Sequence, residues 1–231
     1  MKALLLAAGL GTRMKPMTNK VPKCLAPING KPLLDIWLDN LTKVGIKSFL
    51  INTHHLADKV KIHTSKNIHR ERINLVYEET LLGTAGTLRS NISFFNNQDG
   101  LLIHADNYCL ADFKEFIRVH NSRPKGCLLT MMIFETKEPQ SCGIVELDHK
   151  GIVSNFFEKV ENPPGNLANG AIYMLSDEFL SIYRDNFENA KDFSIDVIPH
   201  LLGKIFTYKT SSKLIDIGTM KTYDTLNKKL L

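Results

Sequence analysis

The sequence predicts an α/β fold with a mostly parallel, mixed sheet. Three observations carry the prediction. Residues 3–8, ALLLAA, form a continuous apolar run that stops at Gly9, as a strand buried on both faces does. Strand-like runs then alternate with segments of helical spacing as far as residue 125. Beyond residue 125, strand-like runs follow one another with turns between them, which predicts antiparallel additions.

After the first strand, residues 9–31 are polar and irregular, with Pro16, Pro22 and Pro27. A loop of that length inside a compact domain is more often functional than accidental. Pro32 opens a helix with Leu34, Trp37, Leu38 and Leu41 at helical spacing and Gly45 as its stop. Strands are predicted at 47–52, 73–77 and 100–105, and helices at 56–66 and 84–92. The second half reads as strands at 127–134, 143–147, 151–159 and 170–175, then helices at 176–184 and 195–203. Strands at 205–209 and 213–217 and a final helix at 219–230 complete the chain.

At 231 residues, with 43% hydrophobic and 23% charged residues, the chain needs neither disulfides nor a structural metal to fold. The net charge is +5, but Lys and Arg are spread among acids rather than clustered, which argues against a nucleic-acid partner. Cys24, Cys109, Cys127 and Cys142 include no CxxC pair. No apolar run is long enough to span a membrane or to act as a secretory leader, so the expected location is the cytoplasm, with the thiols reduced.

The first strand leads into Gly9-Leu10-Gly11-Thr12-Arg13. Glycines there allow a sharp turn and bring backbone N–H groups close to phosphates. Met14 breaks the dinucleotide pattern GxGxxG, and no Walker lysine follows. Arg13 and Lys23 share the loop, so a forked guanidinium and a point-like ammonium stand at the carboxyl end of a strand, where open α/β sheets bind ligands. A solvated basic loop is the plainer reading of the same residues, above all for Lys15 and Lys20.

Read whole, residues 9–27 carry Gly9, Gly11, Arg13, Pro16, Thr18, Pro22, Lys23 and Pro27 at the spacing GxGxRxxPxTxxxPKxxxP. In order, the chain then shows Glu78–Gly86 (EETLLGTAG), His104-Ala105-Asp106, Phe157-Glu158-Lys159, Asn169-Gly170-Ala171, Asp196–Pro199 (DVIP) and Asp216–Thr219 (DIGT). In these motifs the sequence resembles the sugar-phosphate nucleotidylyltransferases, and within them the guanylyltransferases acting on mannose 1-phosphate or a heptose 1-phosphate. The resemblance implies a Rossmann-like three-layer nucleotide-binding domain. It also implies one catalytic domain over 1–231, with a nucleotide-binding half at 1–125 and a sugar-phosphate-binding half at 126–231. No hexapeptide repeat follows residue 217, so no C-terminal β-helix domain is expected.

Residue by residue, the resemblance makes Arg13 and Lys23 catalytic. It places the nucleotide on Ala8, Gly9, Gly11, Thr12, Glu78, Gly83, Thr84 and Ala85, and the sugar phosphate on Asn107, Gly143, Glu158, Lys159 and Asn169. Asp106 and Asp216 each end a short apolar segment. Two carboxylates meeting at one sheet edge would suit Mg²⁺, and the resemblance makes them its ligands. Taken singly, each also reads as a helix cap or turn residue. Two positions depart from the family pattern: Ala105 stands where a glycine usually precedes the aspartate, and Val160 where a proline usually follows Glu-Lys.

Glu78, or failing it Glu79, bears on the base, because a carboxylate only accepts hydrogen bonds and guanine offers N1–H and N2–H₂ side by side. The expected partners are therefore a nucleoside triphosphate, GTP favoured, and a sugar 1-phosphate, with no nucleic acid and no membrane, and with a homodimer left open. The expected reaction yields an NDP-sugar and pyrophosphate. The alternatives are a uridylyl- or cytidylyltransferase acting on another sugar phosphate or a phospho-amino-alcohol, and a non-catalytic nucleotide-sensing module.

Overall fold

The computed structural model describes residues 1–230. Its strands are β1 (Lys2–Leu6), β2 (Pro27–Ile28), β3 (Lys31–Pro32), β4 (Ser48–Thr53), β5 (Ile73–Tyr77), β6 (Gly100–His104), β7 (Asn107–Cys109), β8 (Leu129–Glu135), β9 (Gly143–Leu147), β10 (Val153–Glu158), β11 (Leu167–Leu175), β12 (Ile205–Lys209) and β13 (Leu214–Asp216). Its helices are α1 (Leu33–Lys43), α2 (Ala57–Ser65), α3 (Gly83–Ser90), α4 (Phe113–Asn121), α5 (Asp177–Asn186), α6 (Phe193–Asp196) and α7 (Met220–Leu230). This is the α/β fold that the alternation predicts, with antiparallel pairs after residue 125. No helix among the described residues is long and apolar enough to cross a membrane. All four cysteines are free thiols, and burial pushes the Cys24 thiol up to about 12.

Two compact units share the chain, and each takes segments from both sides of residue 125. The first comprises 1–81, 103–110 and 213–231. In it β1 pairs β4 and β4 pairs β5, all parallel, and β13 pairs β7 antiparallel. Ala3, Leu4 and Leu5 of β1 are fully buried, as a strand covered on both faces requires. Helix α1 buries Leu33, Leu34, Trp37, Leu38 and Leu41 on one stripe, and the Trp37 indole N–H donates to the Asn107 carbonyl at 2.9 Å.

The second unit comprises 82–102 and 111–212. There β11 pairs β8 and β9 antiparallel, β9 pairs β10 antiparallel, and β12 pairs β8 parallel. Its core is aromatic: Tyr173 lies tilted against Phe193 with ring centroids 4.8 Å apart, and Tyr183 contacts Phe179 and Phe187, each at 5.2 Å.

Several elements differ from the sequence expectation, among them the strand β7, which the sequence reading does not place. Helix α4 was not expected; Asp112 caps it by accepting the Glu115 N–H, and Phe113, Phe116 and His120 face inward. The helix expected at 195–203 is instead α6 followed by a short 3₁₀ turn, Ile198–Leu201, because Pro199 cannot continue an α-helical ladder. The long loop of residues 9–31 is not structureless but holds three 3₁₀ turns and the small β2–β3 hairpin.

Candidate active site

Strand β1 delivers the glycine loop at its carboxyl end. Gly11 lies at φ +61°, and a Cβ there would come within 2.7 Å of Thr18 Cγ2. Thr18 occupies that space in order to bond: its hydroxyl donates to the Gly11 carbonyl at 2.8 Å, and its own carbonyl lies 2.7 Å from His55 Nε2. Gly9 faces open space, and Thr12 and Arg13 are exposed, whereas Ala8 is buried. The loop is thus pinned from below and open above, which suits backbone approach by a phosphate.

Lys23 belongs to the third 3₁₀ turn of this loop, and its side chain is only 9% exposed. Its ammonium donates to Asp106 Oδ2 at 2.7 Å and stands 3.6 Å from Asp216 Oδ1. Asp106 follows β6, Asp216 ends β13, and Asp216 stands in register with Asn107 on the neighbouring β7. So three chain segments far apart in sequence bring two carboxylates to one ammonium. Burial pushes the Asp106 carboxyl up, but the Lys23 ammonium, with His104 adding to it, outweighs burial and holds its pKa below the usual value. Arg13 reaches the same place: a Cβ on Gly218 would lie 2.9 Å from Asp216 Oδ2 and 3.0 Å from Arg13 Nη2. Gly218 leaves the room both side chains use.

Asp106 and Asp216 bring two carboxylates to one place. The donor set is all oxygen, which fits a hard cation such as Mg²⁺. Among the described residues no group of three or more His, Cys, Asp or Glu could hold a metal by itself. A cation on Asp106 and Asp216 would therefore complete its shell with water and ligand oxygens, as Mg²⁺ does beside phosphates.

Glu78 directly follows β5 and is buried. Its Oε1 accepts from Asn52 Nδ2 at 2.9 Å, and Asn52 Oδ1 accepts the Ala7 N–H at 2.7 Å. Asn52 thereby ties the expected base residue to the start of the glycine loop. The sequence reading assigned Asn52 no role; its one signal is a polar residue near the end of an apolar strand.

The remaining residues of the nucleotide set, Gly83, Thr84 and Ala85, begin α3 in the second unit. Gly83 has φ +76°, and a Cβ on it would meet the Lys191 carbonyl oxygen at 2.3 Å, so only glycine fits. That carbonyl accepts the Ala85 N–H at 2.9 Å, and Thr84 Oγ1 accepts the Phe193 N–H at 2.7 Å. The motif is locked onto segment 191–193, which Asp196 shapes by accepting the N–H groups of Lys191 and Asp192 at 2.8 Å each. Tyr183 adds a bond from its hydroxyl to the Ala85 carbonyl at 3.1 Å.

The sugar-phosphate set, except Asn107, lies in the second unit. Glu158 at the end of β10 stands opposite Gly143 on β9. A Cβ at Gly143 would come within 2.5 Å of Glu158 Oε2, so this glycine makes room for the carboxylate. Lys159 adopts φ +50°, its N–H donates to the Cys142 carbonyl at 3.1 Å, and its ammonium pairs with Glu158 Oε1 at 3.0 Å while remaining 64% exposed. Val160 in place of proline still permits this tight turn. The register of β11 against β8 shifts between Asn169 and Tyr173; Asn169 Nδ2 donates to the Tyr173 hydroxyl at 2.7 Å and its Oδ1 accepts the Ala171 N–H. Asn107 is buried in the first unit, beside Asp216.

Known proteins resemble the chain along its whole length. A provisionally named mannose-1-phosphate guanyltransferase of Sulfolobus acidocaldarius is 31% identical over 233 residues, which covers 99% of this chain and 63% of that one. A glucose-1-phosphate adenylyltransferase of Fervidobacterium nodosum is 29% identical, covering 99% of this chain and 60% of its own length. The chain thus spans about three-fifths of these curated relatives. HddC from Yersinia pseudotuberculosis, solved complexed with GMP-PN, superposes with a TM-score of 0.81 at 25% identity, over 100% of this chain and 99% of that one. Residues 2–231 match the nucleotidyl transferase family model, and the chain belongs to that family.

Proposed function

We propose that the chain transfers a nucleotidyl group from a nucleoside triphosphate to a sugar 1-phosphate, giving a nucleotide sugar and pyrophosphate. The observation that carries this reading is the buried Lys23 ammonium set between Asp106 and Asp216 beside the glycine loop. A phosphate oxygen of the sugar 1-phosphate attacks the α-phosphorus; the new O–Pα bond forms as the bond to the β-phosphate oxygen breaks, and pyrophosphate leaves with that electron pair. The attacking group is already an anion, so no protein nucleophile or strong base is needed. Positioning and charge stabilisation do the work.

In this reading Arg13 stabilises the leaving pyrophosphate, Lys23 the reacting phosphates, and Lys159 the attacking phosphate. Glu158 and Asn169 meet the sugar, and Asn107, in register with Asp216, meets the sugar phosphate. Mg²⁺ held by Asp106 and Asp216 would offset the repulsion between the two phosphate groups. Glu78, an acceptor only, favours guanine, in keeping with the GMP-PN found on HddC and with the guanyltransferase name of the Sulfolobus relative. Mannose and heptose 1-phosphates are the favoured acceptors. The four free cysteines support a reducing compartment, the cytoplasm.

The test is pyrophosphate release over a grid of four NTPs against mannose, glucose, N-acetylated sugar and heptose 1-phosphates. GTP with mannose or heptose 1-phosphate should give the fastest release. Preference for ATP or UTP would overturn the guanine assignment alone, and nucleotide binding without release in every cell would favour a sensing module.

A further inference from the structure

Strand β5 is the last strand on its side of the sheet, and β4 is its one strand partner among the described residues. The Glu78 N–H donates to the Thr53 carbonyl at 2.9 Å, and the Thr53 hydroxyl reaches the Val76 carbonyl at 3.3 Å. Peptide groups alternate along a strand, so residues 74, 76 and 78 face β4, while the N–H and C=O groups of Ile73, Leu75 and Tyr77 face away from it. Leu75 and Tyr77 also line a hollow of about 770 Å³ with Thr53, His54 and Leu56. Tyr77 is 62% exposed, its ring nearly parallel to that of His54, which is fixed by Nδ1 against the Glu78 carbonyl at 2.8 Å. The strand reads INLVY: it has no proline, no charge and no bulge, the devices that normally keep an edge from pairing.

We infer that β5 is the pairing edge of a two-fold dimer of this chain. A strand edge is satisfied by another strand, and this one is self-complementary when antiparallel. With Leu75 on the axis, Leu75 lies opposite the partner's Leu75, and Ile73 opposite the partner's Tyr77. Outward donors then meet outward acceptors, and the apolar side chains of both copies fall on one face, beside the hollow. A slip of one residue would set outward groups against inward ones, so the register is fixed by the backbone.

The flanks agree with this alignment. Arg70 and Arg72 precede the strand and Glu79 follows it, all exposed. Arg70 is engaged by Glu71 at 3.1 Å, which leaves Arg72 as the basic group at one end and Glu79 as the acidic group at the other. Antiparallel pairing brings the basic end of each copy to the acidic end of its partner. A two-fold contact uses each edge once and closes, giving a dimer rather than a fibre.

Sedimentation velocity of the full chain, from low to high micromolar concentration, tests this. The expected result is a reversible dimer of twice 26.1 kDa. Tyr77→Lys, an exposed change that leaves the core alone, should raise the dimer Kd by about tenfold or more. Arg72→Glu should weaken the dimer and Arg72→Glu with Glu79→Arg should restore it. Hydrogen exchange at the Leu75 amide should slow as concentration rises. A chain that stays monomeric throughout overturns the inference, as does a dimer whose Kd ignores Tyr77→Lys; failure of the charge swap to restore pairing overturns the antiparallel alignment.

Discussion

Lys23 and Lys159 carry the same charge in opposite settings. Lys23 is nearly buried, held on a 3₁₀ turn between two proline-stiffened stretches, and it pairs with two carboxylates from two other segments. Lys159 is mostly exposed and has one partner, its own neighbour Glu158. The first ammonium is fixed by its carboxylate partners before any ligand arrives, which is the preorganisation that the proposed role in charge stabilisation requires. The second is free to move, which suits the proposed role in binding rather than in the reacting centre. Under the proposed function, the difference separates a group that stabilises the reacting centre from one that holds a substrate.

The largest expected effect breaks the fixed region. Lys23→Met should lower kcat by about 10²–10³, in the range seen on losing one charge-stabilising donor, with little change in the KM for sugar phosphate. Steady-state pyrophosphate release would show it, and near-normal turnover would remove Lys23 from the chemistry. Asp216→Asn comes next. It should raise the Mg²⁺ concentration needed for half-maximal activity by about tenfold, a loss of about 1.4 kcal/mol, and an unchanged metal titration would take Asp216 out of the metal site. On the exposed side, Lys159→Ala should raise the KM for sugar 1-phosphate by about tenfold while kcat holds, as loss of one hydrogen bond to a charged group predicts. A fall in kcat with KM unchanged would move Lys159 into the reacting centre.

The smallest effect concerns stability alone and lies in the second unit. Burial holds His120 below its ordinary value despite its bond to Asp99, and that bond, with the Asp177 N–H, holds Asp99 below its own. Both folded values are depressed, so this stabilisation is present above the unfolded values and is lost as pH falls: first below about 6.5 through His120, then below about 4 through Asp99. Urea midpoints should decline on acidification from about pH 7 to about pH 5, and His120→Gln should flatten that slope.

Much of this was legible in the sequence because it is local. Residues 3–8 are apolar without interruption and form β1; the spacing of Leu34, Trp37, Leu38 and Leu41 matches the buried stripe of α1. The motif glycines point to real constraints: Gly11, Gly83 and Gly143 each occupy space that a side chain would clash in. The illegible part is what forms between distant segments. Nothing in the spacing shows that Asn52 links Glu78 to Ala7, or that Lys191 and Asp196 lock the start of α3, because those bonds exist only after the chain has folded. Helix α4 did leave a local trace, the Asp112–Glu115 cap, but its short apolar face of Phe113 and Phe116 was too brief to stand out. The chain also interleaves its two units, a choice of topology that periodicity does not carry.

The most direct measurement follows the α-phosphate. With GTP labelled at the α-phosphorus and mannose or heptose 1-phosphate present, the label should move into a nucleotide sugar, one for each pyrophosphate released, with no transfer when the sugar phosphate is left out. Label that ends on GMP or GDP, or pyrophosphate released at the same rate without the sugar phosphate, would contradict the account.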